Sequence, residues 1–341
     1  MKKYLYIALL ILIFGFLVYF WQGIYLPKDS GAKGERIFII QKGEGSKEIS
    51  INLEKQGLIK SGLIFRIYVL TRGVAEKLQA GEYLISPSMA LPKIVEKFVS
   101  GDVIKEKITI VEGWSAKDIA SYLEERGLFK AGDFLKIVAS SNDFSGDFNF
   151  LEDLPKNLSL EGYLFPDTYY FRKEEGGDGK EGIKNFVKLM LTNFDKKLTP
   201  ALRTEIERQK KSIFEIVTTS SLIEKEVRTF DDKKIVSGIL RKRLKTGIPL
   251  QIDATIVFIT GKKTTEISIE ETKIDSPYNT YKYKGLPLGP IANPGIESII
   301  AALYPESSEY WYYLSAPDGK TIFSRTLEEH NIAKFKYLKP R

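Results

Sequence analysis

Residues 212–227 read Ser-Ile-Phe-Glu-Ile-Val-Thr-Thr-Ser-Ser-Leu-Ile-Glu-Lys-Glu-Val, and the rest of the chain is organised around this stretch. Ile213, Ile216, Ser220, Ile223 and Val227 recur at three- and four-residue steps, so the spacing predicts a helix with that seam against a core. Two carboxylates near its end fall on different stripes. Glu224 shares a face with Val217, Ser221 and Arg228, and the cation four residues on predicts an ordinary ion-paired surface group. Glu226 shares a face with Thr219, Leu222 and Phe230, which puts apolar neighbours one turn to either side. Exclusion of water there would raise its pKa toward the range that a general acid working near neutral pH needs. A solvated helical glutamate is the plainer reading of the same spacing, and spacing alone does not separate the two.

Downstream, 231–245 opens with Asp-Asp and closes on basic residues before Gly247, the charge order that complements a helix dipole. Residues 276–294 are rich in proline, glycine and tyrosine, too irregular for one element and too aromatic for a flexible linker. A helix over 296–303, strands near 310–314 and 321–323, and a last helix from Leu327 follow. Upstream, 182–198 is helical in pattern. Residues 146–180 break into loops, with Glu174–Gly179 as an exposed excursion. Elements of both types, not alternating regularly, predict an α+β fold.

Nearer the start, Ile37–Ile40 reads as a strand, 47–56 as a helix closed by Gly57, 63–70 as a second helix, 81–85 as a strand and 91–99 as a helix. An offset of 70 residues exposes an internal echo: Gly43, Ile49, Leu53, Gly57 and Leu58 recur as Gly113, Ile119, Leu123, Gly127 and Leu128. A repeated small α/β packing unit accounts for it without any function.

The chain begins with Lys2 and Lys3, and Tyr4 to Phe20 carry no charge. As a helix, residues 4–26 would be about 34 Å long against a hydrocarbon core of about 30 Å. Tyr4, Tyr6, Tyr19, Trp21 and Tyr25 lie toward its ends, where amphipathic rings favour headgroups. The expectation is a cytoplasmic stub (1–3), a retained single-pass membrane anchor (4–26), a linker (27–36) and everything beyond outside. A cleaved signal peptide, the alternative, lacks a small-x-small site after Trp21.

Composition narrows the chemistry. Of 341 residues, 43% are hydrophobic and 28% charged, enough apolar mass for a globular core. There is no cysteine and one histidine, His330, which excludes thiolate chemistry and multi-histidine metal sites, so no metal is expected. The net charge of +7 is spread among acidic residues without an arginine-rich tract, which argues against nucleic acid. No glycine-rich phosphate loop is present, and no cofactor is expected.

The segment 221–226, together with Val236–Leu244, Leu250-Gln251-Ile252-Asp253, Pro277-Tyr278-Asn279-Thr280-Tyr281, Gly285-Leu286-Pro287 and Ile291-Ala292-Asn293-Pro294-Gly295, resembles the YceG-like endolytic murein transglycosylases (MltG). So do Val111-Glu112-Gly113, the run Glu161 to Thr168 and His330-Asn331. Each motif is short; their ordered set is specific and spans nearly the whole chain. One departure is the run Thr218-Thr219-Ser220-Ser221, where the family has small or aliphatic residues.

The resemblance implies a LysM-like α/β subdomain (37–104) followed by a mixed α+β transglycosylase domain (105–341). It implies cleavage of β-1,4 bonds between MurNAc and GlcNAc within peptidoglycan strands, leaving 1,6-anhydro-MurNAc ends, with Glu226 as the catalytic acid and base. Tyr278, Asn279 and Tyr281 suit a sugar site, rings stacking on pyranose faces and amides bonding hydroxyl or acetamido groups. Gln251 and Asp253 are candidate wall residues, with Asp253 also a candidate helper, and Asn293 with Gly295 would shape a turn at the sugar site. Glu224, Glu161 and Asp167 are candidate helpers whose alternative role is capping or ion pairing. His330 is assigned no catalytic part. Residence at the membrane would bring the protein to nascent glycan strands and to peptidoglycan synthases, the penicillin-binding proteins. A membrane-tethered peptidoglycan-binding or scaffold protein without turnover is the alternative.

Overall fold

A computed structural model describes residues 2–171, 179–262 and 267–338. The excursion expected at 174–179 lies almost wholly outside them. The architecture is α+β, mostly helical, with three separate two-stranded sheets. The chain divides into two compact units, the first running from Met1 to Glu106 and the second holding most of the remainder.

In the first unit, α1 (Lys2–Tyr25) is followed by β1 (Arg36–Ile40), α2 (Ser46–Lys55), α3 (Gly62–Thr71), β2 (Gly81–Ile85) and α4 (Leu91–Ser100). β1 and β2 pair antiparallel, with Arg36 opposite Ile85 and Ile40 opposite Gly81. Alternation along the strands sends Phe38, Ile40, Tyr83 and Ile85 inward. There the Phe98 ring of α4 meets Phe38 at 5.7 Å and Tyr83 at 4.7 Å. The segment expected to span a membrane is helical through Tyr25. Its Ile24 is buried in this core, while Tyr4, Ile11, Leu12 and Phe14 are exposed. Among the described residues, which leave out the side chains at 1, 2, 5 and 8, no helix is long and apolar enough to cross a membrane.

The second unit opens with β3 (Glu106–Thr109), α5 (Ala116–Glu125), α6 (Ala131–Val138) and β4 (Thr168–Phe171), β3 pairing with β4. The echo in the sequence is thus an echo in structure: both copies run strand, glycine turn, helix, glycine stop, helix. Then come α7 (Lys180–Lys197), α8 (Pro200–Arg208), α9 (Ile213–Glu226), α10 (Phe230–Thr246), α11 (Asp253–Thr260) and α12 (Ile296–Leu303). The hairpin of β5 (Tyr312–Ser315) and β6 (Thr321–Ser324) and a last helix, α13 (Leu327–Tyr337), complete the unit. Neither α8 nor α11 was visible in the sequence pattern.

The central element is α9, with α8, α10, α11 and α12 packed around it. Ser212 caps it, its hydroxyl accepting from the Glu215 N–H at 3.0 Å. The expected single seam is an underestimate, since every residue from Ile216 to Ile223 is buried. Hydroxyls make this tolerable. Thr218, Thr219 and Ser220 donate to the carbonyls of Phe214, Glu215 and Ile216 at 2.8, 2.9 and 2.7 Å, so they enter the core already satisfied. Ser221 donates to Thr218 O and also accepts from the Ile291 N–H at 3.1 Å, pinning the irregular segment to the helix. The polar run that departs from the family pattern is thus accommodated in the core with every hydroxyl bonded. Gly162 is required where that segment crosses: it has φ +90, and a Cβ would stand 2.6 Å from Pro290 and 2.7 Å from Val217.

Candidate active site

Glu226 is the last residue of α9, where the helix gives way to extended backbone at Val227. Part of the residue reaches solvent, but its carboxyl is packed closely enough that loss of water pushes its pKa up to about 7. A hydrogen bond donated by the Tyr313 hydroxyl works against that rise, the negative charge of Asp253 adds to it, and the positive charge of Arg243 moderates it. Tyr313 and Ser315 alternate onto one face of β5, so the same strand reaches both ends of the residue. The Ser315 hydroxyl donates to the Glu226 carbonyl at 2.9 Å. Burial and the neighbouring Glu226 charge hold the Tyr313 phenol well above its usual range, so it serves as a donor throughout.

Asp253 stands exposed at the first position of α11 and accepts a hydrogen bond from the Tyr281 hydroxyl. The phenol of Tyr281 is pushed up in turn, by burial first and then by that carboxylate. Gln251, two residues earlier, is exposed and left-handed at φ +53, its N–H donating to Thr280 O at 3.0 Å. Glu226, Asp253 and Tyr281 are thus brought together, with Gln251 beside them.

The other expected residues have different work. Glu224 does not pair with Arg228 at the surface. It is buried against Lys233 at 3.1 Å and accepts from the Gly295 N–H at 2.9 Å and the Ser298 hydroxyl at 2.7 Å. Lys233 wins because it lies on the adjacent helix facing the same interior, so this ion pair joins α9, α10 and the start of α12. Asn279 spends its amide on Thr272 O and Ile274 O and its oxygen on the Tyr281 and Lys282 N–H groups, fixing a turn. Tyr278 packs on Phe258 with ring centroids 4.9 Å apart.

Asn293 is fully buried and fully bonded. Its amide donates to Trp114 O at 2.9 Å and to Glu161 at 3.0 Å, and its oxygen accepts from the N–H groups of Gly162 and Leu164 at 2.8 and 2.9 Å. Glu161 accepts from the Ala116 N–H at the start of α5, and burial raises its pKa to about 7. Asp167 is held by Asn193 at 2.9 Å and Lys197 at 3.3 Å. These side chains clasp loops together. Asn293 and Glu161 are buried with their polar atoms already engaged.

Sequence reasoning missed Tyr313 and Arg243. The signal for Arg243 was present, a cation on the stripe of Val236 and Leu240, both entirely buried. For Tyr313 there was only strand alternation.

The sequence profile of the YceG-like family matches residues 38–336. The chain belongs to the YceG-like family. It is 32% identical over 339 residues to the endolytic murein transglycosylase of Bacillus subtilis, covering 96% of this chain and 91% of that one. The endolytic murein transglycosylase of Streptococcus pneumoniae is also 32% identical, over 91% of this chain and 60% of the longer pneumococcal protein. A crystal structure of a yceG-like protein from Listeria monocytogenes is 34% identical and superposes with a TM-score of 0.60, covering 89% of this chain and all of that one. The YceG-like motifs map onto distinct tasks in this chain. The 221–226 segment carries the carboxyl, 250–253 brings the second acid, and 291–295 carries the Asn293 clasp.

Proposed function

We propose that this YceG-like protein is an endolytic peptidoglycan lytic transglycosylase that cuts MurNAc-β-1,4-GlcNAc bonds with Glu226 as its single acid and base. The carrying observation is a carboxyl poised near 7 at a partly open position, bonded by one phenol and flanked by one carboxylate. The names of its relatives in Bacillus and Streptococcus support the substrate class.

Protonated Glu226 gives its proton to the glycosidic oxygen as the C1–O4 bond breaks and the GlcNAc 4-hydroxyl departs. Positive charge that develops at C1 lies near the Asp253 carboxylate. The sugar's own C6 hydroxyl then closes on C1, and its proton returns to Glu226, so no water is consumed. Intramolecular attack has a high effective molarity, and one carboxyl suffices where hydrolases use two. Tyr313, donating throughout, steadies the carboxylate between the two transfers.

In this reading the first unit is the LysM-like glycan-binding part. α1, whose described side chains such as Ile11, Leu12, Phe14 and Phe16 are apolar and exposed, anchors the chain in the inner membrane with residues 1–3 cytoplasmic and the catalytic unit outside. Nascent glycan and the peptidoglycan synthases are then its neighbours.

Digestion of purified peptidoglycan tests the activity. Wild type should release muropeptides ending in 1,6-anhydro-MurNAc, and E226Q should lose that release by about 10²- to 10⁴-fold while folding normally. Release by neither would leave a tethered binding protein, and release of reducing ends instead would make it a hydrolase.

A further inference from the structure

We propose that Arg243 is the positioning residue of this site, tying the backbone that leads to Asp253 to the strand that carries Tyr313 and bringing a buried positive charge to the carboxyl between them. The inference rests on Glu226 being the acid. Arg243 occupies the last turn of α10 on its core side and is only 7% exposed. A guanidinium has five donors in a rigid plane, and here they point two ways. Nη1 donates to Leu250 O at 2.8 Å, while Nε and Nη2 donate to Trp311 O at 3.1 and 2.8 Å.

Both acceptors matter by their position in the chain. Leu250 immediately precedes Gln251, whose left-handed backbone is strained for a non-glycine residue. That turn aims the start of α11, and with it Asp253. Trp311 is two residues before Tyr313 and leads into β5. One side chain therefore holds both walls of the Glu226 site in register. Its plane lies over the Tyr312 ring, 5.2 Å from the centroid, and Tyr312 stacks on His330 at 5.3 Å, which fixes the guanidinium from a third side. This gives the lone histidine a role as packing.

The three hydrogen bonds end on neutral carbonyls, so they do not cancel the charge. It acts instead on the ionisable groups converging there, namely Glu226 from α9, Tyr313 from β5, Tyr281 from the irregular segment and His330 from α13. The catalytic cycle passes through ionised Glu226, and a buried cation nearby stabilises that state without forming an ion pair that would lock it. A lysine in this place keeps the charge but, as a single compact ammonium, cannot span two carbonyls in a plane.

The full-length protein, with R243K, R243M and E226Q variants, should be assayed on purified peptidoglycan from pH 5 to 9. R243K is expected to lose about tenfold or more in kcat with KM changed by less than about threefold, its alkaline limb staying within a few tenths of a unit of wild type. R243M is expected to lose more and to move that limb upward by about one unit. Wild-type kcat in R243K overturns the proposal whether or not R243M folds, and so does a folded R243M with an unmoved limb. Wild-type activity in E226Q is a separate failure, which removes the acid on which the inference rests.

Discussion

Two carboxyls of the second unit, Glu161 and Glu226, are both pushed up to about 7 by loss of water, yet their surroundings differ in kind. Glu161 is 6% exposed, and its hydrogen-bond partners are the Ala116 N–H and the Asn293 amide, groups that do not titrate, while the charges of Asp118 and Lys117 oppose each other in acting on it. Glu226 keeps an opening to solvent and is met by a phenol, a carboxylate and a guanidinium. A raised pKa therefore marks burial, and only the nature of the partners with access to solvent marks chemistry. Glu224, two residues from Glu226 on the same helix, is a third case, in which a buried lysine and two further donors make the carboxylate a joint between helices.

The comparison breaks most plainly if the two sites respond alike to substitution. E226Q should abolish strand cleavage by about 10²- to 10⁴-fold and leave the melting temperature equal or higher. E161A should do the reverse, losing about 2–3 kcal/mol of stability by orphaning the Ala116 N–H and part of the Asn293 amide, with activity per folded molecule kept within a fewfold. A peptidoglycan digest and a thermal melt on the same samples separate them. Equal activity losses in both folded variants would put Glu161 in the chemistry and dissolve the distinction.

Next in size is N293A. Its side chain satisfies two buried N–H groups and one carbonyl and supports Glu161, so truncation should cost about 3–5 kcal/mol in a denaturant titration. A loss under 1 kcal/mol, with binding of glycan fragments impaired, would return Asn293 to the sugar site.

Much of this arrangement was legible in the sequence where local rules govern. The extent and seam of α9, the 70-residue echo and the terminal helix follow from spacing. The stripe set Glu226 apart from Glu224, but of its two expected apolar flanks only Leu222 lies on α9; Phe230 opens α10, beyond the extended backbone at Val227. What failed depended on contacts between distant segments. Arg228 was the local partner for Glu224, but Lys233 lies across a helix junction that no i+4 rule describes. The amides of Asn279 and Asn293 suited a sugar equally well on composition; only the fold shows that neighbouring backbone groups already use them. Tyr313 lies 87 positions beyond Glu226, and nothing local links them.

The pH dependence of stability sharpens the comparison further. Each carboxyl titrates near 4.5 when unfolded and near 7 when folded, so the folded state holds its proton more tightly. Their contribution is most favourable below about pH 4.5, declines as pH rises to about 7 and is flat above that. Subtracting the wild-type unfolding free energy from that of E226Q at each pH should give a difference that grows through this window, reaching roughly 1–3 kcal/mol at pH 8. A difference that stays constant from pH 4 to 8 would mean that Glu226 ionises as an ordinary surface carboxyl, and its part as a proton donor near neutral pH would fall.

The smallest effect concerns Tyr313. In Y313F the carboxylate loses its phenolic donor while the ring stays in place, so the charged form becomes less favourable and the pKa rises further, by about one unit. Activity that requires protonated Glu226 should then persist to higher pH, its alkaline limb moving upward by the same amount. Turnover at the optimum should fall severalfold, because a weaker acid gives its proton to the glycosidic oxygen less readily. The two changes oppose each other above pH 7, so Y313F should approach wild type there and lag it most at pH 6. A uniform loss at every pH would mean that the phenol only braces β5, leaving burial to set the acidity of Glu226 as it does that of Glu161.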